Sequence, residues 1–523
     1  IQFEVFKNIF SSIAEEMGMA LCRSAYSPNI KERRDYSCAL FDSRGDMVAQ
    51  AAHLPVHMGS MPYSVKSAIQ AVNMDKGDMV IQNDPFQGGT HLPDLTMICP
   101  VFFGNTLGFY VANRAHHADM GGMSPGSLPL SREIFQEGVR IPPLKLARQG
   151  SIQTDLLELI LANVRTPTER KGDLMAQFAA NRLGEQRLME VVCKYGYEET
   201  ASHMKELQDY AERITGKAIE KIPDGSYFFE DFLDDDGIND TPIKICVQVD
   251  IKGKRAKIDF SGSSPQTDGC MNATLAITLS AVYYVFRCLS PPDTPTNEGC
   301  MRPLEVIAPL GTVVNARFPG AVAGGNVEVS QRITDVLLGA LSKGVSHRIP
   351  AASCGSMNNI TIGGIDAKSG GLFTYYETIA GGSGASSREH GADAVHTHMT
   401  NTLNTPIEAL EYAYPLRVLR YEIRRGSGGQ GKHRGGCGIT RDIQVCTNCE
   451  VTVLSDRRKF PPYGLEGGSP GKMGENIVIS NGKARDMGSK FTISAKTGDV
   501  ISIRTPGGGG FGKPIPEPHE TPE

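Results

Sequence analysis

Little in this 523-residue chain is biased toward one charge: 53 Lys and Arg stand against 58 Asp and Glu, a net charge of −5. So weak a field excludes strong attraction to nucleic acid or to an acidic membrane surface. No apolar run reaches the length that spans a bilayer, and the opening IQFEVFKNIFSSIAEEMG reads as an amphipathic helix rather than a signal peptide. The 12 cysteines lack the regular spacing of a disulfide scaffold, which points to the reducing cytoplasm. The C-x-x-C pair Cys446 and Cys449 has no matching second pair and lies in a strand-like segment, so it is read as two buried structural cysteines. Nucleotide and serine-hydrolase signatures are missing as well. GGSPGKMG has Glu466 at the first Walker glycine and Met473 where Ser or Thr should follow the lysine. Around Ser383, Ala385 replaces the second glycine of a nucleophile elbow. GSGGQGKHRGG and TPGGGGFG lack the strand and helix that flank a dinucleotide fingerprint, and are read as tight turns.

What is present is glycine and proline, 58 and 31 residues, punctuating many short strands. Phe3, Phe6, Phe10, Ile13 and Met17 recur at helical spacing over 1–24. Strand, turn and strand follow in SCALFD, SRGD and MVAQAA, and residues 154–222 are rich in helix formers. DFLDDDGINDTP at 231–242 is turn-rich and acidic but lacks the closing Glu of a calcium loop, so it is read as a solvated connector. Strands resume from 243, interrupted by helices near 275–289 and 327–343. The fold class is α+β: a β-rich body plus a long helical segment. Expected units are 1–150 with the site motif, 151–235 helical, 236–404 β-rich with helices, and 405–523 β-rich with a flexible Pro-rich tail.

The chemistry concentrates in residues 81–122, IQNDPFQGGTHLPDLT followed by NRAHHADMGG. His91, Asp94 and His117 are spaced like a metal site built from two neighbouring turns, with His116 and Asp119 beside them. Two neutral imidazoles and a carboxylate suit a divalent Mn, Zn or Fe ion with open positions. Asp35 follows Arg33 and Arg34 at a strand entry, and can act as a fourth ligand or an orienting base. His116 and Glu137 are the other catalytic candidates, with Glu133 as an alternative base. One of His53 and His57 can line a pocket, although Pro55 argues against a helix aligning them. Arg388, Glu389, His390, His396 and His398 read as a hydrogen-bond network or as holders of polar substrate groups.

Several of these segments also carry a family resemblance. KERRDYSCALFDSRGDMVAQAAHLPVHMGSMP, NDPFQGGTHLPDLT, AHHADMGGMSPGSLP, DFSGSSPQTDG, AGGSGASSREHGADAVHTHMTNTLNTPIEALE and the terminal TPGGGGFG resemble the hydantoinase B family across nearly the whole chain. The resemblance implies the B subunit of an ATP-dependent enzyme that hydrolyses a hydantoin, 5-oxoproline or lactam. A metal-bound water would be the nucleophile. An A-type ATP-binding partner, using ATP and Mg, would phosphorylate the amide, within a heterotetramer or larger assembly. It also implies metal at His91, Asp94 and His117. The alternatives are the metal-bearing subunit of an ATP-dependent ketone carboxylase and a non-catalytic scaffold.

Overall fold

The computed structural model describes residues 2–51 and 54–514; His53 and the tail beyond Pro514 lie outside them. An antiparallel seven-stranded sheet holds the site. Its strand order is Met47–Gln50, Tyr36–Asp42, Thr106–His116, Asp94–Phe103, Met79–Gln82, Leu144–Arg148, Ser151–Ile152. The central Asp94–Phe103 reads DLTMICPVFF because both of its faces are covered. Leu95, Met97, Cys99 and Val101 pack toward the helices Gln2–Ser24 and Pro167–Tyr195. Ile98, Val80, Tyr110 and Ala112 pack toward the helix His57–Ala71.

The other three sheets follow along the chain. Gly225–Leu233, Ile243–Lys252, Arg255–Asp259 and Leu304–Ile307 form one, backed by the helices Leu275–Leu289 and Ser330–Val345 over the largest core. The remaining four- and five-stranded sheets are built from segments between Asn359 and Arg504 and share a core around Ile362, Ile443, Val453 and Ile501. This is the expected α+β architecture. Among the described residues no helix is long and apolar enough to cross a membrane.

Particular expectations meet particular outcomes. The 154–222 stretch divides into Thr154–Leu161, Pro167–Tyr195 and Tyr197–Ile219, the last break set by Gly196 at φ +88°, where a Cβ is disfavoured. The acidic patch is not a solvated connector. Asp234, Asp235 and Asp236 are buried, and they accept from the backbone of Arg458, the hydroxyl of Ser489 and the backbone of Ile238. Buried carboxylates need such partners, so the patch pins the second sheet to the segment after Leu454. Cys449 is buried but Cys446 is exposed, so the paired-burial expectation holds for one of them.

The terminal glycines are not turn residues either. Gly507–Gly510 have no left-handed φ; their N–H groups donate to the carbonyls of Lys472, Gly436, Ala352 and Ser469. A Cβ at any of the four would collide with a neighbouring carbonyl oxygen. Their role is close approach of backbones. Gly509→Ala is therefore expected to destabilise the protein by about 2–4 kcal/mol through overpacking, read as a lower urea midpoint at unchanged slope. An unchanged midpoint would refute the close-packing account.

Candidate metal centre

Register places the first two functional side chains. Asp94 opens its strand directly opposite His116, which closes Thr106–His116. Opposed residues project to one sheet face and successive residues to alternate faces. His116 therefore shares the face of Asp94, and His117 does not. The loop before Asp94 brings in the next group. Asp84 caps the short turn Pro85–Gln87 by accepting from Phe86 N at 3.0 Å. Gly88 then reverses the chain at φ +93°, and a Cβ there would lie 2.8 Å from Ser64 Cα. His91 follows, with Nδ1 3.0 Å from Asp94 Oδ2.

His91, Asp94 and His116 each offer one donor atom, and these lie within 4.8 Å of one another, all buried. His116 Nδ1 is 3.2 Å from Asp94 Oδ1, and the Thr90 hydroxyl donates to Asp94 Oδ2. A third imidazole joins: His57, at the start of its helix, holds Nδ1 2.9 Å from Ser37 Oγ and Nε2 3.5 Å from Asp94 Oδ2. His91 Nδ1 and His57 Nε2 meet Asp94 Oδ2, while His116 Nε2 is buried without a hydrogen-bond partner among the described residues.

Electrostatics favour one protonation pattern. Burial pushes the Asp94 carboxyl up, but His91 and the hydrogen bonds from His116 and His57 outweigh it and hold the group well below the carboxylate range. Burial lowers His57 and His116 against the pull of Asp94, which favours their neutral forms. Neutral imidazoles around an ionised carboxylate are the donor state a divalent cation requires. Three imidazoles gathered on one carboxylate, with His116 Nε2 unpaired, fit such an ion.

On the same face lies Arg114, fully buried, donating to Thr96 Oγ1 at 2.8 Å and to the hydroxyls of Ser60 and Ser64. Burial lowers its guanidinium to about 10, opposed by the charge of Asp94. Tyr376 stacks on the His116 ring, with centroids 4.5 Å apart, and its hydroxyl donates to Asn359 Oδ1 at 3.0 Å.

The remaining sequence candidates divide. His117 leaves the cluster: Nε2 lies 2.9 Å from Gln177 Oε1 on the opposite face, and burial first, then Arg170, lowers it to about 4. The structure gathers His116, rather than the expected His117, with His91 and Asp94. Asp119 is tied to Arg165 and the backbone of Gly121 and Gly126. Asp35 is buried beside the site; its carbonyl accepts from His116 N at 3.0 Å, and burial raises its carboxyl against the pull of His116 and Arg33. Glu133 is exposed and caps a turn. Glu137 is buried, with Oε1 accepting from Ser131 Oγ at 2.7 Å, Val322 N at 2.8 Å and Ala323 N at 3.0 Å, while Oε2 has no partner. Arg388, Glu389 and His390 lie on the surface or toward it, whereas His396 and His398 carry buried ring nitrogens. Sequence reading missed Arg114 and Tyr376. Only Arg114 had a signal, its alternation with His116 along one strand.

Residues 1–514 match the family profile described as hydantoinase B/oxoprolinase. The chain is 42% identical over 522 residues to an uncharacterized protein of Methanocaldococcus jannaschii, covering 98% of this chain and 91% of that one. It is 41% identical over 524 residues to a 5-oxoprolinase of Dictyostelium discoideum, covering 98% of this chain and 40% of the relative. The chain thus spans about two fifths of that relative's length. Among solved structures it resembles the ATP-dependent caprolactamase of Pseudomonas jessenii, with TM-score 0.92, 28% identity and coverage of 99% and 92%. It shares its fold with a nucleotide-free acetone carboxylase, with TM-score 0.90, 20% identity and coverage of 98% and 76%.

Proposed function

The chain belongs to the hydantoinase B/oxoprolinase family, and from that premise we propose that it opens a small cyclic amide at the His91–Asp94–His116 centre, within an ATP-dependent enzyme. The carrying observation is the clustering of three buried donor residues within 4.8 Å of one another, with His116 Nε2 left unpaired.

Cyclic amides resist hydrolysis because resonance weakens the carbonyl as an electrophile and leaves nitrogen a poor leaving group. His91, Asp94 and His116 would hold a divalent Mn, Zn or Fe ion, which when bound would lower the pKa of water and polarise a carbonyl. Asp94, kept ionised, contributes the negative charge. His57 and Thr90 hold its second oxygen in place, an orientation that ligating carboxylates generally need. Glu137 is the proton-handling group. Burial raises its carboxyl to about 7, Oε2 is free, and His91 lies within its electrostatic reach. A carboxyl poised near neutral pH can take a proton from water and return it to the departing nitrogen. Asp35 fixes His116 from behind through its carbonyl, which accepts from His116 N at 3.0 Å.

Activation of the amide by phosphorylation falls to an A-type ATP-binding partner. The likeness to an ATP-dependent caprolactamase supports an ATP-using step in the same enzyme. The same reading places the chain in the cytoplasm, in a heterotetramer or larger assembly with that partner.

The test is product formation by the co-purified pair with ATP and a panel of 5-oxoproline, hydantoin, caprolactam, and acetone with labelled bicarbonate. Ring opening that needs both chains is expected. Label entering acetone, or no ring opening at all, would overturn the proposal.

A further inference from the structure

Contacts around the histidine cluster return on themselves. The His91 and His116 rings are 5.0 Å apart, and His116 stacks on Tyr376 at 4.5 Å. The Arg33 guanidinium sits 4.7 Å from the Tyr376 ring centre, and His396 lies within its electrostatic reach. The carbonyl of Thr397, next in the chain, accepts from Gln331 Nε2 at 3.0 Å. Asn326, five residues before Gln331, closes the circuit with Nδ2 3.5 Å from His91 Nε2.

The far side of this circuit carries buried polar atoms without a protein partner: Asn326 Oδ1, Gln331 Oε1, Thr397 Oγ1 and His396 Nε2. Asn326 and Gln331 are only 5% and 1% exposed. Buried polar atoms are normally satisfied by protein, ordered water or a ligand, so four along one closed path require an occupant. The backbone is shaped to present two of them. Gly325–Val329 is a π-helical turn, with Ser330 N bonded to Gly325 O. In an α-helix, residues five apart point about 140° away from each other. The wider π turn brings them toward one side, and such turns are frequent at functional sites. The hydrogen bond from Gln331 Nε2 to Thr397 fixes the amide so that Oε1 is the free acceptor. His396, Thr397 and His398 are half-buried, so the circuit meets solvent on that side.

We propose that this circuit encloses the pocket for the substrate ring, in which Gln331 Oε1 and Asn326 Oδ1 accept from its N–H edge and the Thr397 hydroxyl donates to a carbonyl. The inference rests on the cyclic-amide reading above and assigns its specificity: the ring must carry a free N–H.

The probes are two pairs, hydantoin against 1,3-dimethylhydantoin and caprolactam against N-methylcaprolactam, titrated calorimetrically into the metal-loaded chain. At least one parent ring is expected to bind about tenfold or more tighter than its methylated partner. Gln331→Met and Asn326→Leu should each shrink that gap to below about threefold at unchanged metal content. Thr397→Val, outside the helix, should weaken the parent ring and its methylated partner alike, and serves if a helix variant fails to fold. A wild-type chain without the gap, or variants that keep it, overturns the pocket. Turnover with the partner and ATP separates the two readings. Wild-type ring opening with unchanged KM in the variants sinks the pocket alone, whereas neither binding nor ring opening in the wild type sinks both.

Discussion

His91→Ala and His116→Ala are each expected to lose stoichiometric metal and to lower turnover by roughly three orders of magnitude or more, whereas His117→Ala keeps its metal. The contrast follows from strand pleating. His116 lies opposite Asp94 in the ladder and shares its face, while His117 turns to Gln177 on the helix behind. Removing His91 or His116 deletes one of three clustered donor residues, and two remaining donors with a weakly held ion cannot sustain the chemistry. Removing His117 leaves Gln177 Oε1 without that partner and should cost about 1–3 kcal/mol of stability instead. Metal analysis after dialysis, thermal unfolding and turnover with the partner read the three variants together. Loss of metal from His117→Ala with retention in His116→Ala would reverse the assignment.

Glu137→Gln is expected to lower turnover by about 10²–10⁴-fold and to abolish the ionisation that controls it. Burial drives this carboxyl up to about 7, against the downward pull of Ser131, the backbone of Ala323 and Val322, and His91. Wild-type activity should rise with pH through that ionisation, which lies at or below about 7 because a cation near His91 lowers it further. The substituted enzyme should lack that limb. Stability gives a second readout, independent of turnover. Between the ordinary value of 4.5 and about 7, the folded protein holds a proton that the unfolded chain has released. Wild-type stability in the metal-free protein therefore falls as pH rises across that window, and a glutamine, which cannot ionise, does not share the loss. A variant whose pH–stability curve parallels the wild type would show that Glu137 is not the titrating group.

The sequence carried the local elements well where periodicity was strong. The apolar stripe of Phe6, Phe10, Ile13 and Met17 does form the buried face of Gln2–Ser24, and Leu275–Leu289 stands where its apolar spacing put it. It misled where composition had two physical uses. Consecutive glycines at 507–510 suggested turns, yet there the missing side chain matters rather than the φ freedom. A run of aspartates suggested solvent, yet Asp234 is buried because the backbone N–H groups of Arg458 and Lys459, 224 and 225 residues onward, are folded against it. Likewise, Asn326 and Gln331 look like ordinary helix residues until a π turn and the distant Thr397 give them a common direction.

By itself, the sequence determined the α+β class, the family, and the short stretch where His91, Asp94 and the His116–His117 pair concentrate ligating side chains, because these depend on composition and on neighbours along the chain. Only the tertiary structure decided which of the paired histidines faces Asp94 and that His57 and Tyr376 join them. Strand register and sheet face are set by pairing partners and by the helices packed on each side, and a one-residue difference along the chain there reverses the direction of a side chain.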